Sequence, residues 1–116
     1  MADPDLIYKV ADRGLVESAD ASGTFHGAPI DLADGFIHFS TATQLRDTLR
    51  LHFAGQGDLM LLAIGVSALG DLRWEPSRGG QLFPHLYGPL PMSTVVRQAP
   101  IAVAADGAVT LPDWVK

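Results

Sequence analysis

The sequence predicts an α+β fold, on three observations: short runs rich in Val, Ile, Leu and Phe alternate with two segments of helical periodicity, glycine and proline punctuate the joints, and no stretch repeats. The chain has 116 residues, of which 47% are hydrophobic and 18% charged. That is enough apolar material for one core and too little charge for a disordered chain, so residues 1–116 are expected to form a single domain.

Leu6–Val10 is a short strand-like run. Asp12 stands where a helix cap belongs, and Leu15, Val16 and Ala19 share one side of a helix running to about Ala21. Residues 22–35 read as loop because of Gly23, Gly27, Pro29 and Gly35. Phe36–Phe39 is the second strand. Thr41 or Ser40 then caps a helix over about Ala42–Ala54, with Leu45, Leu49, His52 and Phe53 on one arc and Gly55 at its end.

Asp58–Val66 is the most apolar strand, followed by Leu72–Glu75 and the turn Pro76-Ser-Arg-Gly-Gly80. Leu82–Tyr87 is extended, and its proline suits an edge. Thr94–Gln98 and Ile101–Ala104 read as two further strands, and Asp106-Gly107 as a turn into Val109–Leu111.

Composition narrows the function. Formal net charge is −5, with 13 acidic against 8 basic residues, which argues against duplex nucleic acid as a partner. Leu59–Val66, the longest apolar run, is far shorter than the roughly 20 residues that cross a bilayer, so no membrane partner is expected. No cysteine is present and the acidic start lacks a secretory pattern, which points to the cytoplasm.

Two segments carry candidate chemistry. Alternation puts Phe36, His38 and Ser40 on one face of the second strand, and Phe83, His85 and Tyr87 on one face of the extended segment. The two faces are expected to line one cleft, with Ile37, Phe39 and Leu86 turned away into packing. Imidazoles, a phenol, a hydroxyl and phenyl rings together suit a nucleotide-like ligand, because rings stack and His or Ser hydrogen-bond. Arg78 and the amides of the 76–80 turn are candidates for a phosphate. Glu75 is a candidate base. His52 is expected chiefly in the core arc, reaching the pocket only from beneath. Asp31 and Asp34 are expected to shape the loop before the second strand.

These segments also carry a resemblance. The strings DLADGFIHFSTATQL (31–45), HFAGQGDLMLL (52–62) and RWEPSRGGQLFPHLYGPLP (73–91) resemble the bacterial domain of unknown function numbered nine-five-two, over nearly the whole chain. The resemblance implies an ADP-ribosylation-like fold, a mixed β-sheet with two main helices, as in NAD-using ADP-ribosyltransferases and RNA 2′-phosphotransferases. The latter carry a His-Val-His-Leu-Ser strand, to which Ile37-His-Phe-Ser40 is similar at His38 and Ser40. Where that group has His-Gly-Thr, the first strand here reads Tyr8-Lys9.

Three functions follow as expectations. One is a transferase or hydrolase acting on NAD or an ADP-ribosyl group, with His38 orienting a ribose hydroxyl, Tyr87 stacking on a base and Glu75 stabilising positive charge. A second is a non-catalytic module binding a nucleotide-like ligand. The third is a metal site built from His38, His52 and His85, although their spacing matches no metal motif.

Overall fold

The computed structural model describes residues 5–115, except the side chain of Arg78. Its elements run β1 (Leu6–Asp12), α1 (Arg13–Ser22), β2 (Thr24–Phe25), α2 (Pro29–Asp34), β3 (Ile37–His38), α3 (Ala42–His52), β4 (Leu59–Gly65), β5 (Leu72–Pro76), β6 (Leu82–Leu86), β7 (Leu90–Pro91) and β8 (Val95–Ile101). The protein is therefore α+β. Every pairing among the described strands is antiparallel, in the orders β1-β4-β8, β3-β6-β5 and β2-β7, so the expected mixed sheet is replaced by three antiparallel ones.

β4, Leu-Met-Leu-Leu-Ala-Ile-Gly, is central in the first sheet, and its unbroken apolar run follows from being covered on both faces. On one face Ile7, Ala11, Leu62 and Ile64 pack with Val16 and Ala19 of α1 and with Ile37, Phe39 and Leu86 of the second sheet. On the other, Tyr8, Val10, Leu61 and Ala63 pack with Leu45 and Leu49 of α3. Ile37, Phe39 and Leu86 thus point into packing as alternation predicts.

Several local expectations are corrected. Asp12 makes no side-chain cap for α1; it ends β1 opposite Leu59. Thr41 does cap α3, accepting from Gln44 N while Gln44 Oε1 accepts from Thr41 N. The supposed loop at 26–34 contains α2, with Pro29 at its first turn and Gly35 ending it at φ 86°. Six residues are too few to show a helical period. The two strands expected at 94–104 are one strand, β8, running through Pro100. Val109 and Leu111 join no sheet and instead pack against the α3-side core.

β6 is not an edge strand but lies between β3 and β5. Its Pro84 is tolerated because the Pro84 carbonyl still accepts from Phe39 N at 3.0 Å, so the missing N–H forgoes only one ladder bond at the point where β3 ends.

Candidate functional site

β1 and β3 meet at one point and then separate. Tyr8 and Ser40 exchange both backbone hydrogen bonds, at 2.8 and 2.9 Å. Because N–H and C=O groups alternate sides along an antiparallel strand, Val10 also turns its peptide groups away from β4, toward where His38 would pair with it. The pair does not form. His38 N donates instead to Asp31 Oδ1 at 3.1 Å, and the Val10 peptide groups are left without a backbone partner among the described residues.

Asp31 is the wedge between the two strands. Its carboxylate lies against Lys9 Nζ on both oxygens, at 2.9 and 2.8 Å, and also accepts from Ala28 N at 2.7 Å and His38 Nδ1 at 2.6 Å. Lys9 and Asp31 are both buried, Lys9 on the face shared with Ile7 and Ala11. Burial by itself would raise the Asp31 carboxyl, but the His38 ring, the Lys9 ammonium and the Ala28 amide more than offset it and hold the group at about 2. Burial also pushes the Lys9 ammonium down, against the pull of Asp31.

The Asp31 shift sets a pH window for stability. The folded value lies below the ordinary 3.8, so its contribution is complete above about pH 4 and is lost as pH falls through 2. At about 1.4 kcal/mol per pH unit it amounts to about 2 kcal/mol. Unfolding free energies measured by urea at pH 6, 4 and 2 should fall mainly between the last two, and Asp31→Asn should lose most of that slope. Glu75, held low first by the His85 ring and then by the Tyr87 hydroxyl, adds a contribution of the same sign.

His38 has a carboxylate on each ring nitrogen, since Nε2 donates to Asp34 Oδ2 at 2.9 Å. An ionised carboxylate only accepts, so a ring nitrogen meets one as a donor. His85 is arranged differently. It faces His38 across the β3–β6 pair, ring centroids 5.4 Å apart, and its Nδ1 donates to Glu75 Oε1 at 2.9 Å. The same oxygen accepts from the Tyr87 hydroxyl at 2.8 Å. With Nδ1 committed, Nε2 has no partner among the described residues, and the ring lines the cleft although its side chain is only 6% exposed.

The cleft is about 590 Å³. Lys9 and Val10 of β1 form one wall, His38 and His85 the other, with Ser40 and His52 along it. Phe36 lies against both imidazoles and against Tyr87, with centroids 4.7, 4.2 and 5.2 Å away.

The structure thus brings His38, Ser40, His85 and His52 to one cleft. It reassigns the others. The Tyr87 ring does not line the cleft, and the Arg73 guanidinium lies over it at 4.4 Å. Glu75 accepts from two donors, His85 Nδ1 and the Tyr87 hydroxyl, and is absent from the cleft lining. Ser40 Oγ lies 2.8 Å from Thr48 Oγ1. His52 is exposed at the last residue of α3, not in the core; periodicity predicts a side chain's direction but not how far packing extends along the helix. The side chain of Arg78 lies outside the described residues. In its turn, Ser77 N and Gly80 N donate to Gln81 O and Ser77 O, so those amides are closed off from a phosphate. No group of three or more His, Asp or Glu among the described residues is placed to hold a metal ion.

Sequence reasoning missed Lys9 and the joining role of Asp31. A lysine in an otherwise apolar strand was the available signal, because such a residue is buried only with a partner.

The family described as Protein of unknown function (DUF952) matches residues 10–98. The chain belongs to that family. It is 49% identical to protein CC0527 from Caulobacter crescentus in its X-ray structure, with a TM-score of 0.85 over 90% of this chain and 93% of that one. It is 50% identical to the same protein in its solution NMR structure, with a TM-score of 0.79 over 91% of each. No curated protein matches the chain. Among the described residues, no helix of this DUF952 protein is long and apolar enough to cross a membrane.

Proposed function

We propose that this DUF952 protein is an acid–base hydrolase or transferase acting on a nucleotide-like ligand, in an architecture akin to the ADP-ribosylation fold. The observation that carries it is His85: one ring nitrogen is held by an ionised carboxylate and the other is open to the cleft. That arrangement fixes the tautomer whose lone pair sits on Nε2, as a general base requires. His85 takes a proton from an attacking water or hydroxyl, and His38 supplies one to the departing oxygen, its Nδ1 held by Asp31. The Val10 N–H and C=O, side by side on the opposite wall, suit the amide-like edge of a nucleobase or carboxamide.

An acid partner helps only a leaving group that gains a proton. An alkoxide from a phosphoester or an O-linked ADP-ribosyl group does, whereas nicotinamide leaves NAD as a neutral ring. Oxygen-linked substrates therefore rank above NAD itself. The second reading, a non-catalytic nucleotide-binding module, draws on Glu75 being committed to His85 and Tyr87 and so unable to stabilise positive charge directly.

Turnover followed by ³¹P NMR on nucleoside phosphodiesters, an O-linked ADP-ribosyl ester and NAD separates the two. His85→Ala is expected to slow the best substrate by about 10²-fold or more with the fold intact by circular dichroism. Binding without turnover of any of these would favour the module, and an undiminished rate in His85→Ala would reject the catalytic assignment.

A further inference from the structure

His38 Nε2 is the ring position through which that residue would meet a ligand, and a carboxylate of this chain already sits there. The two acids on the ring differ in kind. The Asp31 side chain is 1% exposed and is tied to Lys9 and Ala28 as well; that of Asp34 is 43% exposed, closes the short helix α2 beside Gly35, and has no other bond among the described residues. Rotation of the Asp34 side chain toward solvent frees Nε2 without disturbing Asp31.

Nitrogen donors alternate with carboxylates along this row: Lys9 Nζ, Asp31, the two ring nitrogens of His38, Asp34. Removing the last member leaves the His38 Nε2 donor without an acceptor at the cleft wall, beside the open Nε2 of His85 at a ring separation of 5.4 Å. We infer that the His38 Nε2 position is an oxyanion subsite, filled by Asp34 in the free protein and taken over by a phosphate or carboxylate oxygen of the ligand. Asp34 acts as an internal competitor, so the ligand carries an anionic oxygen and displaces the aspartate on binding. The inference rests on the cleft being a ligand site, as proposed above, but not on turnover.

The test is binding, read by NMR of ¹⁵N-labelled histidine side chains. Inorganic phosphate, AMP and acetate are titrated into the wild-type protein, Asp34→Ala and Asp34→Asn. Removal of a half-exposed ion pair and its like charge should tighten oxyanion binding about fivefold, with the His38 signals moving, and adding His38→Ala should abolish the gain. A gain shared by phosphate and AMP supports the subsite with the oxyanion alone as the determinant. A gain with AMP only supports it with the anion carried on a nucleotide, and one with acetate only supports a carboxylate ligand. Equal or weaker binding of all three in both Asp34 variants overturns the proposal. Because the readout is binding, an inert protein with an intact gain would reject catalysis while supporting the subsite.

Discussion

Asp31→Asn should destabilise the protein by about 3–5 kcal/mol, the scale of leaving a buried charge without its partner. The Lys9 ammonium sits among Ile7, Ala11 and the packing of the second sheet, with Asp31 as its only ion-pair partner among the described residues. An amide there neither carries the compensating charge nor accepts on both sides as the carboxylate does. Lys9 Nζ, His38 N, His38 Nδ1 and Ala28 N all lose strength together. In a chain of this size such a loss lowers the melting temperature by more than about 10 °C. A double variant, Lys9→Met with Asp31→Asn, removes the stranded charge and should recover part of the loss. If Asp31→Asn melted within a degree or two of the wild type, Asp31 would not be what holds β1 and β3 apart.

Glu75→Gln should leave the fold nearly unchanged but reduce turnover of the best substrate by about 10²-fold or more, as far as loss of the base itself. Both donors meet one oxygen, which glutamine also has, but glutamine lacks the negative charge that holds the proton on His85 Nδ1 and adds an amide donor that can turn toward the ring. If its amide donates to His85 Nδ1, the ring proton moves to Nε2 and the lone pair no longer faces the cleft. Tyr87→Phe removes the other donor to Glu75 and keeps the ring under Arg73, so a smaller loss is expected. Equal damage to ligand binding and to turnover in Glu75→Gln would mean that Glu75 contacts the ligand, contrary to its placement behind His85.

The periodic parts of the fold were legible in the residues because both periodicities record burial directly. β4 shows as an unbroken apolar run and α3 as a Leu45–Leu49 arc behind a Thr41–Gln44 cap. Alternation likewise turned His38 and His85 from the packed faces of their strands while sending Ile37, Phe39 and Leu86 inward. Elements of two to six residues were not legible. α2 is shorter than two helical turns, and a proline amid glycines signals a loop as readily as a helix start.

What the sequence by itself determined is the α+β class, the principal strands and helices, and the two segments that bear the histidines, since each depends on neighbours along the chain. Only the tertiary structure decided which side chain meets which. Asp31 reaches Lys9 across 22 positions and Glu75 reaches His85 across 10, and in each case the two residues lie on different elements, which no local period relates. Local pattern states which way a side chain points, whereas the chemistry of an imidazole depends on what stands at each of its nitrogens. That is set by where β1 and β3 part and by the register of β5 on β6, which place Asp31 against His38 and Glu75 beside His85.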